Sequence, residues 1–208
     1  MRRSAQGGNG FMLQEIFAAE DGTVETLSFE GEFIEGADFS SALFKRVSFV
    51  KCRFVSCVFA RSRFMQTIFE RSELVGCDMK KSLWTETLFR DSKISGSDFS
   101  GAIFKKTRAE ESSFRCANFA ESSWNGCEAS FSSFIESSFA SVKFLNSAFR
   151  HADFTGADFF KTPLKGLDFS DSVIEGITLS DGCAELRGLT VNAAQAVELA
   201  RLFGLRVK

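Results

Sequence analysis

The chain has 208 residues, 44% of them hydrophobic and 25% charged, with a formal net charge of −2 at pH 7. This composition is ordinary for a globular chain, and no apolar run approaches the length of a membrane span. We therefore expect one domain without a membrane segment.

The first 28 residues are expected to form a flexible tail and an N-terminal cap. Met1–Gly10 contains Ser, Gln, Asn and several Gly residues and has no apolar signal core. The apolar residues after it are expected to cover the end of the repeat that follows; they are Phe11, Leu13, Ile16, Phe17, Val24 and Leu27.

Residues 29–180 carry an unbroken five-residue period. Every fifth residue from Phe29 to Leu179 is apolar, at 31 successive positions of which 20 are Phe. At the chain's overall hydrophobicity such a run has a chance probability on the order of 10⁻¹¹, so it is a repeat. The period matches neither a helix nor the alternation of a strand.

A second ladder lies two residues before the first and consists almost entirely of small residues, such as Ala42, Ser62 and Thr67. A large and a small residue at fixed positions indicate that both point into a narrow, tightly packed interior. The other three positions carry almost all of the charge and should face water. A quarter turn every five residues places residue n over n + 20, with coils stacked about 4.8 Å apart.

Several of these units resemble the pentapeptide-repeat family, whose consensus is A(D/N)LXX with Leu or Phe central. The units are ADFSS (Ala37–Ser41), GSDFSGAIF (Gly96–Phe104), CANFA (Cys116–Ala120) and HADFTGADFF (His151–Phe160). The resemblance implies an all-β fold, a right-handed quadrilateral parallel β-helix. It says little about function, because one fold serves unrelated roles.

Catalytic and metal-binding chemistry has little support. Cys52, Cys57, Cys77 and Cys127 occupy the small inward position, where we expect buried reduced thiols, and hence a cytoplasmic protein, rather than a disulfide or metal site. The only histidine, His151, is outward and on a different face from the outward Cys116, so no Cys–His dyad is expected. We predict no enzyme activity, small-molecule substrate, cofactor or metal.

Charge is distributed unequally over the four predicted faces. One, here called the basic face, has Glu86 as its only acid, and its candidate interaction residues are Lys45, Arg46, Arg63, Lys105, Lys106, Lys143 and Lys165. The next, the first acidic face, carries Glu30, Glu70, Asp91, Glu110, Glu111, Glu128, Asp168 and Asp171 against five basic residues. The second acidic face carries Glu32, Glu35, Glu73, Glu136, Asp153 and Glu175 against three.

The acidic residues that we take as interaction candidates are Glu70, Glu110 and Glu111 on the first acidic face, and Glu73 and Glu136 on the second. The fourth face is nearly neutral. It carries a column of Asp and Asn residues: Asp38, Asp78, Asp98, Asn118 and Asp158. In the family consensus, the side chain at this position shapes the turn by hydrogen-bonding to nearby backbone. A column of like charge is either a binding surface or an ordinary solvated face.

Residues 181–208 are expected to close the barrel. Leu186, Leu189 and Val191 indicate a closing strand, and Asn192 and Gln195 a capping box that opens a helix over Ala193–Phe203 before Gly204. In resembling proteins such a helix joins two barrels end to end. We therefore expect a homodimer through Ala196, Leu199, Ala200 and Phe203.

These features favour a rigid protein-interaction rod without enzymatic activity, whose partner the sequence does not name. The alternative comes from the family's quinolone-resistance and toxin-immunity branch, in which a negatively charged rod imitates duplex DNA and binds type II topoisomerases such as gyrase. Such mimicry needs a dense negative surface, whereas this barrel is nearly neutral.

Overall fold

The computed structural model describes residues 3–5 and 12–206. They form a parallel β-solenoid with four faces, which confirms the predicted quadrilateral β-helix. Strands of three or four residues alternate with tight corners, because the chain turns after every five residues. No helix of the described residues has the length and hydropathy needed to cross a membrane.

Three of the four faces contain sheets. The first acidic face is an eight-stranded sheet of Arg3–Ala5, Leu27–Glu30, Ser48–Val50, Ile68–Glu70, Leu88–Arg90, Arg108–Glu110, Glu128–Ser130 and Ala148–Arg150. The basic face is a seven-stranded sheet of Thr23–Glu25, Leu43–Lys45, Arg63–Met65, Leu83–Thr85, Ile103–Lys105, Ser123–Asn125 and Lys143–Leu145. The second acidic face begins as a three-stranded sheet of Phe33–Glu35, Arg53–Val55 and Glu73–Val75 and continues as single bridges.

Successive coils pair in parallel with the predicted offset, in which residue n lies under n + 20. Phe89, for example, lies between Phe69 and Ala109 in the eight-stranded sheet. The fourth face has only single bridges, from Asp38 and Val58 up to Thr178, with the same offset. Each outward column of side chains therefore takes one residue from each coil.

Almost every corner contains a left-handed residue, two positions after the ladder residue. Arg46 and Lys106 have φ values of 54° and 50°, and Gly126 has 64°. Glycine adopts this conformation without strain, and polar residues such as Ser occupy most of the remaining corners. The corner position thus selects against large apolar side chains.

Both predicted inward ladders form the core. The five-residue ladder is buried except at Phe144 and Leu179, which are partly buried against the same cluster. Phe rings stack along each face, as Phe99, Phe119 and Phe139 do at 5.1 Å between centroids. The interior is therefore continuous along the solenoid.

Two tryptophans use the small ladder as a hydrogen-bond acceptor. The indole Nε1 of Trp84 donates to Ser82 Oγ at 2.7 Å, and that of Trp124 donates to Ser122 Oγ at 2.9 Å. Trp124 also reaches Phe134 across the core, at 6.4 Å between centroids, where the ladder residue between them is the small Ala129. The indole of Trp124, which is larger than a phenyl ring, therefore fills the space that a Phe at position 129 would occupy.

The N-terminal cap contains a helix, α1 (Met12–Ala19). Leu13 is fully buried, and Phe17 packs edge-on against Phe39 at 5.1 Å. Phe11 lies outside the described residues. Within the expected flexible tail, Arg3–Ala5 instead form a strand that pairs in parallel with Leu27–Phe29.

The predicted closing strand at Leu186–Val191 is wrong. A 3₁₀ helix covers Ala184–Leu186, and a single bridge joins Asp168 to Thr190. In the solenoid register Asp168 would pair with Gly188 instead, so the chain has left the five-residue period by this point. Helix α2 (Ala193–Leu202) follows, and its predicted capping box between Asn192 and Gln195 is confirmed.

Side chains replace the missing next coil at this end. In the coil below, Ser141 N donates to Phe160 O, but Lys161 N donates to Glu185 Oε1 at 2.8 Å. Glu185 Oε1 also accepts from Ser180 N at 3.1 Å. Burial opposes ionisation of Glu185, but these hydrogen bonds hold the pKa of its carboxyl below the ordinary value.

Gln195 completes the cap from α2. Its Nε2 donates to the carbonyls of Phe169 and Ser172 at 2.7 and 2.6 Å. The last coil therefore ends with these backbone groups satisfied by side chains, as a solenoid end requires.

Candidate interaction surfaces

The four inward cysteines are buried free thiols. Burial raises the pKa of Cys52 and of Cys127 to about 11, so both thiols are protonated and unreactive at neutral pH. Their Sγ atoms lie near backbone carbonyls, as that of Cys52 does at 3.5 Å from Phe29 O. They act as small core side chains.

Cys116 and His151 lie at different corners. Cys116 is exposed, with Sγ 3.4 Å from Glu136 Oε2, and His151 stacks on Phe131 at 4.7 Å between centroids. No group of His, Cys, Asp and Glu side chains in the described part of the chain has the arrangement of a metal site.

The basic face is partly neutralised at its N-terminal end. Lys45 Nζ lies 3.3 Å from Glu25 Oε1, and Arg46 Nη2 lies 3.5 Å from Glu25 Oε2. Lys106 Nζ lies 3.9 Å from Glu86 Oε1. Glu25 precedes the first ladder residue, so the charge pattern of residues 29–180 did not include it.

The remaining cations of the basic face are exposed: Arg63, Lys105, Lys143 and Lys165. Among the described residues, none of the four has an acidic partner within 4.0 Å. Two exposed apolar side chains, Ile103 and Leu145, lie on the same face, and Leu145 is 57% exposed. The C-terminal half of this face is therefore both cationic and partly apolar.

Ion pairs within and between coils neutralise much of the first acidic face. Glu110 lies 3.1 Å from Arg90 and 3.6 Å from Arg108, and Glu70 lies 2.9 Å from Arg71. Glu111, at the neighbouring corner, has no such partner among the described residues. Two of the three acidic candidates of this face are therefore paired.

The second acidic face is weaker than its acid count predicts. Glu73 pairs with Arg53 at 3.4 Å, and Glu136 pairs with Arg115 at 2.8 Å. The assignment of Glu32 to this surface was wrong, because Glu32 takes the inward small position and is only 2% exposed. Burial raises the pKa of Glu32, and its Oε2 has no hydrogen-bond partner in the described structure.

The aspartate column of the fourth face shapes turns, as the resemblance implied. Asp38 Oδ1 accepts from Ser40 N at 2.8 Å, and Asp98 Oδ1 accepts from Ser100 N at 2.9 Å. Hydrogen bonds from Ser40 lower the pKa of Asp38. These carboxylates therefore have a structural role in the corners.

The residues predicted to mediate a dimer differ in their exposure to solvent. Leu199 is buried in the core, Ala200 is half-buried, and Ala196 and Phe203 are exposed. Phe203 is 54% exposed and lies near two further exposed apolar residues, Leu202 and Leu205. One part of the helix covers the barrel, and the other presents an apolar surface to solvent.

Known proteins resemble the chain in repeat pattern and in fold. A family model described as pentapeptide repeats matches residues 34–71, 72–108 and 137–176, with eight copies. No curated protein matches the chain in sequence.

The solved structures that match the chain include these three. Two are trypsin-treated forms of QnrB1, a plasmid-mediated fluoroquinolone resistance protein. One has 24% identity, covers 87% of this chain and 90% of its own, and has a TM-score of 0.60. The other has 17% identity, 87% and 99% coverage, and a TM-score of 0.54.

The third is HetL, a pentapeptide repeat protein involved in heterocyst differentiation regulation from the cyanobacterium Nostoc sp. It has 11% identity, covers 89% of this chain and 98% of its own, and has a TM-score of 0.36.

Proposed function

Because the chain belongs to the pentapeptide-repeat family, we propose that it is a rigid rod that binds a protein partner through its basic face, without catalysing a reaction. The single observation that carries this proposal is the set of unpaired cations on that face. The four buried free thiols support a reducing compartment, and we propose the cytoplasm.

The chemistry of the basic face suits an acidic protein surface. Lys105, Lys143 and Lys165 project from one side of the rod without acidic partners within 4.0 Å among the described residues, and Leu145 and Ile103 supply apolar area beside them. Unpaired surface charges gain most from a partner of opposite sign, which speeds association and fixes register. The hydrogen-bonded coils hold these side chains at fixed spacing.

The test compares baits in a pull-down from native cell extract. The first is the unmodified chain, the second carries Lys105→Glu, Lys143→Glu and Lys165→Glu, and the third carries Glu70→Lys, Glu110→Lys and Glu111→Lys. We expect a stoichiometric partner on the first and third baits and its loss from the second, because like charges across an interface cost several kcal/mol. A partner lost only from the third bait, or absent from all, contradicts the proposal.

A second candidate is binding to a type II topoisomerase as a DNA mimic. It is supported by the fold shared with QnrB1 and by carboxylates such as Glu111 and Asp91, which have no basic partner within 4.0 Å in the described structure. The pairing of Glu70 and Glu110 with arginines opposes it, because mimicry replaces phosphate charge. We rank it second.

A gyrase supercoiling assay separates the two candidates. We expect the unmodified chain to leave supercoiling unchanged at stoichiometric and higher ratios. A clear stoichiometric effect that disappears with Glu70→Lys, Glu110→Lys and Glu111→Lys would reverse the ranking.

We further propose that the rod dimerises through the exposed C-terminal end of α2 and the residues that follow it. Leu202, Phe203 and Leu205 are all exposed at the end of the solenoid, and a second copy would bury this apolar surface. Replacing all three by Ser should give monomers in sedimentation at micromolar concentration, while Leu199 still caps the core. A monomeric unmodified chain under the same conditions rules out the dimer.

A further inference from the structure

A second surface with different chemistry lies at the corner between the two acidic faces. The register of the coils places Asp91, Glu111, Phe131, His151 and Asp171 in one column along this corner. Backbone pairing continues through it, since Glu111 N donates to Ser130 O and Phe131 N donates to Arg150 O. An aromatic pair is thus flanked by carboxylates on both sides along the rod.

Phe131 is unusual for its position. It is 64% exposed, more than any other large apolar side chain of the described residues. Its φ is 50°, in the left-handed region where the other corners carry mainly Gly or polar residues. Neither burial nor backbone preference therefore explains a phenylalanine here, and such a departure points to function.

The rings of Phe131 and His151 stack on each other along the corner. Their ring centroids are 4.7 Å apart and the planes differ by 27°. Asp171 holds the histidine from the other side, accepting from His151 N at 3.2 Å, with Oδ2 3.9 Å from His151 Nδ1. Beside the stack runs a shallow groove of about 490 Å³ whose lining includes Arg150, Asp168 and Asp171.

The surroundings of this stack are mainly acidic. Asp91, Glu111 and Asp153 have no basic partner within 4.0 Å in the part of the chain that the structure describes. Arg150 and Lys93 are flanking cations without an acidic partner within 4.0 Å in the described structure, whereas Arg90 pairs with Glu110 at 3.1 Å and Arg71, lower in the column, pairs with Glu70 at 2.9 Å. A ligand for this corner therefore combines positive charge with a group that stacks on an aromatic face.

We propose that this corner, the Phe131–His151 stack with its flanking carboxylates, is a docking site for an arginine-bearing segment of a protein partner. A guanidinium is planar, stacks on aromatic rings and donates paired hydrogen bonds to a carboxylate, and a lysine ammonium does not combine these properties. The site lies away from the basic face. It binds positively charged segments, whereas the basic face binds an acidic surface. It goes beyond the function proposed above and does not depend on it.

The chain's single histidine makes the test direct. The ring C–H resonances of His151 are followed by proton NMR at one fixed pH. Three probe peptides are titrated into the full chain: acetyl-Leu-Arg-Leu-Arg-amide, its Lys counterpart and its Glu counterpart. The arginine peptide should shift the resonance saturably, the lysine peptide should bind at least about threefold more weakly, and the Glu peptide should have no effect.

Phe131→Ser is the decisive variant, because Ser occupies the same left-handed corner at Ser41, Ser56 and Ser141. It should abolish the saturable shift while the circular dichroism spectrum is unchanged, and Phe131→Asn provides a second variant of the same kind. Phe160→Ser, which changes an exposed Phe on the fourth face, should bind like the unmodified chain. The proposal is overturned by the absence of a saturable shift, by equal affinity for the arginine and lysine peptides, or by retained binding in both Phe131 variants.

Discussion

Replacing Phe119 by Ala tests the inward register of the whole solenoid. Phe119 is fully buried in the middle of the core. Its ring lies 5.1 Å from Phe99 below and Phe139 above, and 5.2 Å from Trp124 at the next ladder position. The substitution therefore removes one ring from a continuous aromatic stack.

The expected loss follows from burial and from the space left behind. Full burial of a Phe side chain contributes about 1.5–3 kcal/mol, and the unfilled cavity raises the total for Phe→Ala to about 3–5 kcal/mol. Hydrogen bonds between coils hold the walls apart, so the core cannot collapse around the void. We therefore expect a loss of unfolding free energy near the upper end of this range.

Denaturant titration followed by tryptophan fluorescence measures this loss, because Trp124 lies beside the substituted ring. The matched control is Phe160→Ala. Phe160 is 41% exposed, with Lys161 Nζ 4.9 Å from its ring centroid, and should lose less than about 1 kcal/mol. Equal losses at Phe119 and Phe160 would refute the inward and outward assignment.

Three further substitutions test the ends and the core. Glu185→Ala should destabilise the chain at pH 7 by about 1–3 kcal/mol, because the partly buried N–H groups of Lys161 and Ser180 lose their acceptor. Because the pKa of Glu185 is lowered in the folded chain, its ionised carboxyl stabilises the fold above the ordinary value of 4.5, and this contribution is lost as the pH falls below that value. Denaturant titrations at several pH values should show this loss of unfolding free energy in the unmodified chain and not in Glu185→Ala. Glu32→Gln should instead raise the unfolding free energy at pH 7, because the raised pKa of Glu32 shows that burial of its charged carboxyl disfavours folding. Below pH 4.5 the carboxyl is protonated in the unfolded chain too, so the variant and the unmodified chain should be equally stable. Trp124→Phe should lower the thermal midpoint, because the ring that reaches across the core beside Ala129 becomes too small.

The five-residue period predicted the core residue by residue, because it fixes which side chains point inward. Phe119 is buried and Phe160 is exposed, as the period predicted. The same period places Glu32 inward, and grouping residues by face concealed this, since a carboxyl is not expected among small core residues. The use of Trp124 to compensate for Ala129 depends on volume across the core, which a one-dimensional pattern does not contain.

The surface was less predictable than the core. Counting charges by face did not reveal which carboxylates pair with cations in adjacent coils, as Glu110 does with Arg90. The prediction of a closing strand was wrong because the five-residue register does not continue past Leu179. The last bridge joins Asp168 to Thr190 rather than to Gly188. The Phe131–His151 stack did leave a signal in the sequence: two rings one coil apart at a corner position that is otherwise mainly polar or Gly.

The constant offset between paired residues has a consequence for synthesis and folding. Each coil closes a loop of the same length, so the chain entropy lost per coil does not grow as the solenoid lengthens. A chain leaving the ribosome acquires every pairing partner within one more coil, and the region capped by α1 can fold before α2 has been made. Folding can therefore advance from the N-terminus coil by coil, and Glu185 and Gln195 close the last coil once they have been synthesised.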